Sequence, residues 1–375
     1  MGRPSSEKPD STGSRDAPDS PGARDASDST GSRDAPDSPG ARDAPDSTGS
    51  RDAADRFPSN PADTVVILNP TSGNGEHDAL RNRARGSGFS LVETRREGDA
   101  EGLAAAAASA GVERVVAAGG DGTINGVVQG IVNVGALDQV VLGVLPAGTG
   151  NNFATNLGLG DLPTAFEALE TGPVRRLDLG TGGTRVFVNS CIGGLTAEAS
   201  GETTSEMKAR YGVFAYVLAT LRTMVNFDSM PLSVSADGAD GVTESWSGEA
   251  MFVLVGNARR FPLSGPTTAN AEDGLLDVTI IERQPASELL QDAALSRTFG
   301  SRSDSLVQLQ ATRLAVTVRN DREYEFSFDG EMASLSRLSL GVRTQALRIH
   351  VGPEYEPGGP AGDESRSDDD SRAAA

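Results

Sequence analysis

The sequence is poor in the residues that build covalent and metal cross-links. Cys191 is the single cysteine, and the 375 residues include two histidines. An intrachain disulfide is therefore impossible, and a metal site built from cysteine ligands is excluded. Lysine is also scarce, because only Lys8 and Lys208 accompany the arginines. A phosphate bound in the first half of the folded part must therefore be held without a lysine side chain.

Long apolar runs are absent too. No stretch approaches the ~18 uninterrupted apolar residues that mark a membrane span, and the N-terminus lacks the apolar core of a signal peptide. We therefore expect a soluble, cytoplasmic protein that touches a membrane at most transiently.

The charge balance is strongly acidic. The formal net charge is −20, from 53 acidic and 33 basic residues. No basic surface with interleaved aromatic residues is present, so we expect no nucleic-acid partner. Excess carboxylate with scarce lysine is typical of adaptation to high salt, although a genome that favours arginine explains the lysine deficit equally well.

Both ends of the chain have the composition of solvated tails. From Asp10 to Ala54 a nine-residue unit repeats five times, and it contains no apolar side chain larger than alanine. Such a segment buries too little surface to offset its chain entropy. The segment from Gly358 to Ala375 is similar. We predict disordered tails over residues 1–60 and 354–375, and two folded domains over residues 61–175 and 176–353.

Strand and helix patterns alternate in the first domain. Apolar runs predict strands, and the periodic segments between them predict helices that end near Arg85, Ala110 and Val134. The predicted strands are Thr64–Leu68, Phe89–Glu93, Val115–Ala118 and Val140–Leu145. This order predicts a parallel sheet covered by helices, in which the strand-to-helix loops meet at one edge.

The central loop of this domain is Gly119-Gly120-Asp121-Gly122-Thr123, between a strand and a helix. Glycines allow close backbone approach to a ligand, and the free N–H groups of the following helix favour an anion such as phosphate. Asp121 would repel a bare phosphate. It therefore acts through Mg²⁺ or a water, or it holds the loop by accepting backbone N–H bonds near a helix N-cap.

Neither a dinucleotide-binding fingerprint nor a P-loop occurs in this domain. Phosphate must then be held by backbone N–H groups, metal, hydroxyl groups or arginine. Taken singly, each hydroxyl also fits a turn or cap role. The candidate side chains are Ser72, Thr94, Thr123, Thr149, Arg95 and Arg96.

From about Pro173 the pattern changes to short strands separated by turns, which predicts an antiparallel sheet domain. The strands expected are Arg176–Gly180, Arg185–Asn189, Met251–Val255, Leu276–Glu282, Leu314–Arg319 and Tyr324–Phe328. One helical stretch, Val213–Val225, carries a broad apolar stripe. That stripe fits a core-facing helix, the lining of a lipid pocket or a membrane contact.

Two acidic turns follow in this half. Ala271–Leu276 places a carboxylate and nearby carbonyls in a loop entering a strand, which suits a hard cation. Phe326–Glu331 places two carboxylates around a glycine at a strand end, which suits proton abstraction from a hydroxyl. The second turn equally fits an ordinary Asp-Gly hairpin.

Together these motifs resemble the diacylglycerol kinase catalytic family, including bacterial soluble lipid kinases and, more distantly, sphingosine and ceramide kinases. The match covers about residues 63–353 and keeps the order of the family's motifs. Its parts are Asn69-Pro70-x-Ser72-Gly73, Thr94 before Glu97-Gly98-Asp99, Gly119–Asn125, Leu145-Pro146-x-Gly148-Thr149-x-Asn151 with Phe153-Ala154, Asp273–Asp277 and Asp329–Glu331.

The resemblance implies an α/β nucleotide domain with a helix-covered parallel sheet, followed by a mainly antiparallel β-sandwich domain that binds lipid. The last strand of the second domain can extend back into the first domain. It implies ATP and Mg²⁺ as cofactors, a lipid substrate at a membrane surface, and an assembly compatible with a homodimer. The nucleotide-binding residues would be Asn69, Ser72, Gly73, Thr94, Gly119, Gly120, Asp121, Gly122, Thr123, Ile124, Asn125, Gly148 and Thr149.

The same resemblance assigns chemistry to two further groups. Mg²⁺ would sit at Asp273 with oxygens of Asn270 and Leu275. Glu331 would be the general base that accepts the proton of the lipid hydroxyl, with Asp329 beside it, and Asp121 would belong to the catalytic set. Positioning of the phosphates and one carboxylate near the nucleophile are what phosphoryl transfer requires.

This chain departs from the family pattern at two positions. Asn152 stands where many relatives carry an aspartate, and Gly126 stands where they often carry a glutamate. An amide at position 152 can hydrogen-bond but brings no charge, which puts the metal affinity in question.

Three functions follow as hypotheses. The first is an ATP-dependent kinase of diacylglycerol or a similar long-chain lipid. The second is an NAD kinase-like enzyme, whose family shares the Gly-Gly-Asp-Gly-Thr motif. The third is a non-catalytic lipid- or nucleotide-binding protein of the same fold, which the missing carboxylate at Asn152 keeps open.

Overall fold

The computed structural model describes residues 57–58, 61–73, 77–194, 229–259, 268–283 and 306–358. The nine-residue repeats, the Val213–Val225 helix and the tail beyond Gly358 lie outside these ranges. Among the helices that the structure describes, none is both long enough and apolar enough to cross a bilayer.

The first domain alternates strands and helices. Four parallel strands lie in the order β2-β1-β3-β4, since β1 pairs with β2 and β3, and β3 pairs with β4. All five residues of β1 are buried, as expected for a strand covered on both faces. The elements are β1 (Thr64–Leu68), α1 (Asp78–Gly86), β2 (Ser90–Glu93), α2 (Asp99–Ser109), β3 (Arg114–Gly119), α3 (Asp121–Asn133) and β4 (Val141–Pro146).

Two further helices close this domain, α4 (Asn152–Asn156) and α5 (Leu162–Thr171). The α5 helix begins where Asp161 accepts a hydrogen bond of 2.8 Å from the N–H of Thr164, with proline in the first turn. This is the usual chemistry of a helix start.

The second domain is an antiparallel β-sandwich. Phe187, Phe326, Phe328 and aliphatic residues of several strands fill its core. Its strands are β5 (Val174–Gly182), β6 (Arg185–Phe187), β7 (Ser190–Gly193), β8 (Met230–Asp237), β9 (Thr243–Gly256), β10 (Leu276–Glu282), β11 (Leu306–Ala311), β12 (Arg313–Val318), β13 (Tyr324–Phe328), β14 (Glu331–Leu335) and β15 (Arg337–His350).

Two long strands connect the layers. The first half of β9 pairs with β8, whereas its second half pairs with β7 and β10. Residues 337–341 of β15 pair with β12, and residues 340–350 pair with β5. Near its end β15 also pairs in parallel with β4, at Ile349 and Leu142. The β15 strand thus extends from the sandwich to the parallel sheet.

A bulge interrupts the pairing of β15 with β5. The register shifts between Arg343 and Leu347, and Gln345 has a left-handed φ of 49°. The N–H of Gln345 donates to the buried carboxylate of Asp178 over 2.7 Å. A side-chain acceptor therefore satisfies a backbone group that the bulge removes from the ladder.

The fold class inferred from sequence is confirmed, and the predicted strands of the first domain match β1–β4 within one residue at most ends. The predictions omitted β7, β8, the first half of β9, β11, β14, β15 and the helices α4 and α5. They also extended one strand to Asn189, whereas β6 ends at Phe187.

Helices α2 and α3 pack closely because glycine lies at their crossing. A Cβ atom on Gly130 would lie 2.2 Å from the carbonyl oxygen of Glu101 and 2.9 Å from the Cβ of Ala104. We expect Gly130→Ala to lower the free energy of unfolding by about 1–3 kcal/mol, because the helices must separate to admit the methyl group. Urea unfolding followed by circular dichroism measures this.

Gly86→Ala is the matched control, because a Cβ atom at the end of α1 would meet no atom within 4 Å. This variant should be neutral or more stable by up to about 1 kcal/mol. A Gly130→Ala variant as stable as Gly86→Ala would contradict the packing argument.

Candidate active site

The loops that follow β1 and β3 meet at the carboxyl edge of the parallel sheet. The N–H of Asn69 donates to the carbonyl of Ala118 over 2.9 Å, and its side-chain Nδ2 lies 3.3 Å from Oγ1 of Thr123. The hydroxyl of Ser72 donates to the carbonyl of Asn69 over 2.8 Å. Asn69 thus joins its own loop to the first turn of α3, and the Ser72 hydroxyl shapes a turn.

Glycines let the loop after β4 join this group. A Cβ atom on Gly73, whose φ is +58°, would lie 2.6 Å from the carbonyl oxygen of Ala147. One on Gly148 would lie 2.4 Å from the Cα of Gly120. Side chains at either position would push the loops apart, so the three loops contact one another only because these residues are glycine.

The N-terminus of α3 remains open within this arrangement. Gly120 is its extended N-cap, and the space beside Gly122 is free of atoms within 4 Å of a Cβ position. The α3 helix has 13 residues, and Ile124 in its first turn is buried. Free N–H groups and the helix dipole at an open end favour an anion, which fits the phosphates of a nucleotide. The exposed Thr149 follows Gly148 in the neighbouring loop.

Asp121 holds the short helix α4. Its Oδ2 accepts hydrogen bonds from the backbone N–H and the side-chain Nδ2 of Asn152, over 3.2 and 3.1 Å, and its Oδ1 accepts from the N–H of Phe153 over 3.0 Å. Of the two roles inferred from sequence, the structure thus contains the contacts of the second, in which Asp121 accepts backbone N–H bonds. The amide of Asn152 contributes a donor where many relatives carry a carboxylate.

Asp329 joins the two domains. Its carboxylate accepts hydrogen bonds from the N–H groups of Val188, Asn189 and Ser190 over 2.6, 3.0 and 2.8 Å. A fourth comes from Nδ2 of Asn125 in α3, over 3.0 Å. Burial raises the pKa of Asp329 to about 6, although the four donors favour the ionised form. Asp329 therefore holds the β13–β14 turn against the helix that follows the glycine motif.

The loop after β2 is fixed by a buried carboxylate. The N–H of Thr94 donates to the carbonyl of Leu68 over 2.9 Å. Asp99 is fully buried, accepts a hydrogen bond from the N–H of Arg95 and lies 3.4 Å from Nε of Arg96. The Arg96 side chain, a candidate phosphate ligand, is thus engaged with Asp99.

Glu331 starts β14 and is exposed. Its charge acts on Glu101 of α2. Burial raises the pKa of Glu101, the hydrogen bond from Asn133 opposes this rise, and Glu331 adds to it by repulsion. Arg185, whose guanidinium lies 6.0 Å from the ring centre of Phe328, is the nearby cation. Among the described residues, Glu331 accepts no hydrogen bond from the glycine motif.

The residues expected to bind metal lie in the turn before β10. Oδ1 of Asp273 accepts from the N–H of Leu275, and Oδ1 of Asn270 accepts from the N–H of Glu272, each over 3.0 Å. Burial raises the pKa of Asp273, and the charges of Asp277 and Asp178 add to the rise. A cation bound here would relieve this repulsion. Carboxylate and amide oxygens, which Asp273 and Asn270 provide, are ligands that Mg²⁺ prefers.

A cation there would need carbonyl oxygens as well as carboxylates. Within the described part of the chain, no three acidic, histidine or cysteine side chains converge closely enough to hold a metal by themselves. We call the region beside Asp121 and Asp329 the cleft. The turn is linked to it through Asp178, whose carboxylate accepts from the N–H of Gly274, and through Asn257, whose buried Nδ2 donates to the carbonyls of Asp178 and Val188 over 3.0 Å each.

Sequence reasoning missed Arg259. Burial lowers the pKa of its guanidinium to about 10, and electrostatic attraction to the carboxylates of Asp121 and Asp329 opposes this change. The sequence did contain one indication of its role. Arg259 ends the segment Gly256-Asn257-Ala258-Arg259, which begins at the end of a buried strand, and no lysine lies nearby in the sequence. Arginine alone was too common for this position to stand out.

Two family models match consecutive parts of the chain. The model of the diacylglycerol kinase catalytic domain matches residues 63–181, and that of the YegS C-terminal NAD kinase beta sandwich-like domain matches residues 189–351. A Pseudomonas fluorescens protein named "Probable lipid kinase YegS-like" is 31% identical over 277 residues, which cover 73% of this chain and 89% of that protein. The chain belongs to the YegS-like lipid kinase family.

Further proteins are similar to this chain in sequence or in fold. A Yersinia enterocolitica protein of the same name is 28% identical over 300 residues, covering 78% of this chain and 98% of its own. A crystal structure of a diacylglycerol kinase from Bacillus anthracis str. Sterne superposes with a TM-score of 0.63 at 22% identity, covering 77% of this chain and 97% of its own. Membership of a kinase family implies ATP as the phosphate donor.

Asn152 allows a direct test of the Asp121 contact. In Asn152→Asp a second carboxylate would replace the donor that lies 3.1 Å from Oδ2 of Asp121. We expect the free energy of unfolding in a chelator to fall by about 2 kcal/mol, because a hydrogen bond is replaced by repulsion. Added Mg²⁺ should raise the melting temperature of this variant more than that of the wild type.

Asn152→Ala is the control that removes the side-chain hydrogen bond without adding charge, so it should lose less stability and gain no more from Mg²⁺ than the wild type does. An Asn152→Asp variant as stable in chelator as the wild type would contradict the contact.

Proposed function

We propose that the protein is an ATP-dependent kinase that transfers the γ-phosphate to a hydroxyl of diacylglycerol or a similar long-chain lipid. The observation that carries this proposal is the hydrogen bond between Asn125 and Asp329. It brings the glycine motif of the first domain and the Asp329-Gly330-Glu331 turn of the second to one cleft. The membership of a lipid kinase family supports it further.

The nucleotide would bind at the open N-terminus of α3. The loop before α3 offers backbone N–H groups at Gly120 and Gly122, whereas the N–H of Gly148 donates to Oδ1 of Asn151 over 2.8 Å. The loops contact one another without intervening side chains. Asn69, Ser72, Gly73, Thr94 and Thr149 border the same edge of the sheet. Backbone donors that are fixed before the nucleotide arrives need little reorganisation, which favours phosphate binding and transfer.

Glu331 is the general base of this proposal. It is exposed, so a lipid hydroxyl can reach it, whereas the carboxylate of Asp329 is occupied by four donors. Glu331 takes the proton as the hydroxyl oxygen forms a bond to the γ-phosphorus and the bond from that phosphorus to the leaving oxygen of ADP breaks. Asp329 keeps the turn, and hence Glu331, in place.

Mg²⁺ is the metal of this proposal, held by Asp273 with oxygens of Asn270 and Leu275. When bound, it supplies positive charge beside Asp273, whose carboxylate is repelled by those of Asp277 in β10 and Asp178 in β5. The hydrogen bonds of Asn257 then pass any ordering of this turn to the backbone that holds Asp329.

The decisive experiment offers the purified full chain ATP and Mg²⁺ with mixed micelles of diacylglycerol, an ether-linked glycerolipid or sphingosine, and in parallel NAD, at low and at multimolar salt. We expect phosphorylated lipid and no phosphorylated NAD. Product from NAD alone would favour the small-molecule kinase, and ATP binding without any product would favour a non-catalytic protein.

Glu331→Gln should lower lipid turnover at least about 100-fold, because the hydroxyl loses its proton acceptor. ATP affinity should be unchanged, since Glu331 acts on the lipid. The exposed Glu325→Gln, on β13 of the same hairpin, is the matched control and should retain wild-type turnover. Full turnover in folded Glu331→Gln would remove Glu331 from the mechanism.

A further inference from the structure

The backbone of Arg259 is fixed beside the residues that hold Asp329. The N–H of Asn257 donates to the carbonyl of Asn189 over 2.8 Å, and that of Ala258 to the carbonyl of Val188 over 3.2 Å. The N–H groups of the same residues 188 and 189 donate to Asp329. The segment that ends at Arg259 therefore runs alongside the carboxylate that joins the domains.

The other side of this segment contacts α4, which Asp121 holds. Nδ2 of Asn156, the last residue of α4, donates to the carbonyl of Ala258 over 3.0 Å. Oδ1 of Asn156 accepts from the hydroxyl of Thr268 over 3.3 Å, and Thr268 pairs with Arg259 in an isolated bridge. Arg259 thus lies between the structures organised by Asp329 and by Asp121.

A tight turn sets the direction of the chain at this point. A Cβ atom on Gly256 would lie 1.6 Å from the carbonyl oxygen of Arg259, so the turn accepts no larger residue there. The guanidinium interacts electrostatically with the carboxylates of Asp121 and Asp329. At neutral pH it is charged, since its pKa of about 10 lies well above 7. The cleft thus contains a positioned cation.

Other cations near the cleft have different roles. Arg96 lies against Asp99, and Arg185 lies over the ring of Phe328. Both lysines of the sequence, Lys8 and Lys208, fall outside the described residues. A triphosphate that enters beside Asp121 and Asp329 adds negative charge to a site that already holds two carboxylates, and a cation between them offsets this charge.

We infer that Arg259 binds the terminal phosphate of ATP and holds its oxygens while the phosphoryl group passes to the lipid. This inference rests on the proposed function. Arginine presents several donors in a planar fork that matches phosphate oxygens, and an arginine on the transferring group commonly contributes a large part of the rate in phosphoryl transfer.

The test compares the β,γ-imido analogue of ATP with ADP by titration calorimetry, without lipid, for wild type, Arg259→Gln and Arg259→Lys. We expect Arg259→Gln to bind the analogue at least 10-fold more weakly and ADP within 2-fold of the wild type, because only the analogue carries the terminal phosphate. Lipid turnover should fall about 100-fold, and Arg259→Lys should recover part of both losses.

Arg319→Gln is the matched control, since Arg319 lies on the sandwich surface beside Gly248 and Glu249 and should change nothing. Equal weakening of both nucleotides, or unchanged affinity for the analogue, would overturn the role of Arg259. If Arg259→Gln fails to fold, the same comparison in Arg259→Lys decides. If the wild type phosphorylates no lipid, the proposed function fails, whereas the nucleotide comparison still decides whether Arg259 binds the terminal phosphate.

Discussion

The carboxylate of Asp329 is the constraint on which the arrangement of the cleft depends. Three successive backbone N–H groups of the second domain and one side-chain amide of the first converge on it. Each donor would lose about 1–3 kcal/mol if it stayed buried without a partner, so the two domains are held in register at this point. Asp329 also adopts a left-handed φ of 50°, which suits the tight turn to Gly330. The position of Glu331, two residues later, follows from this turn.

The sequence predicted the parallel sheet well because its strands need little context. All residues of Thr64–Leu68 are apolar or β-branched, and all are buried. The β8 strand was missed although Met230, Leu232, Val234 and Ala236 are buried in strict alternation, a visible period of two. The first half of β9 carries no such signal, because residues 243–249 are partly or fully exposed and become a strand by pairing with β8. The path of β15 into the parallel sheet likewise depends on partners distant in sequence.

The candidate site divides in the same way. The glycine motif and the Asp-Gly-Glu turn were visible as motifs, but the turn fitted both a hairpin and a proton acceptor. In the structure the two carboxylates differ. Asp329 accepts four hydrogen bonds and stabilises the hairpin turn, whereas Glu331 is exposed and available to accept a proton. The contact between Asp121 and Asn152 spans 31 residues, and Arg259 reaches the cleft from the far end of β9. Local patterns contain no information on such distances, so these partners required the folded chain.

The balance of charge in the cleft explains why an amide is tolerated at position 152. Asp121, Asp329 and Glu331 already bring three carboxylates, and the described cations near them are arginines rather than lysines. A fourth carboxylate beside Asp121 would need a cation of its own in a medium that screens charge less than water does. Asn152 instead donates to Asp121, so hydrogen bonds stabilise that carboxylate in addition to the charge of Arg259. An incoming triphosphate therefore meets less negative charge in the cleft. The N-terminus of α3 and one arginine then have less negative charge to neutralise.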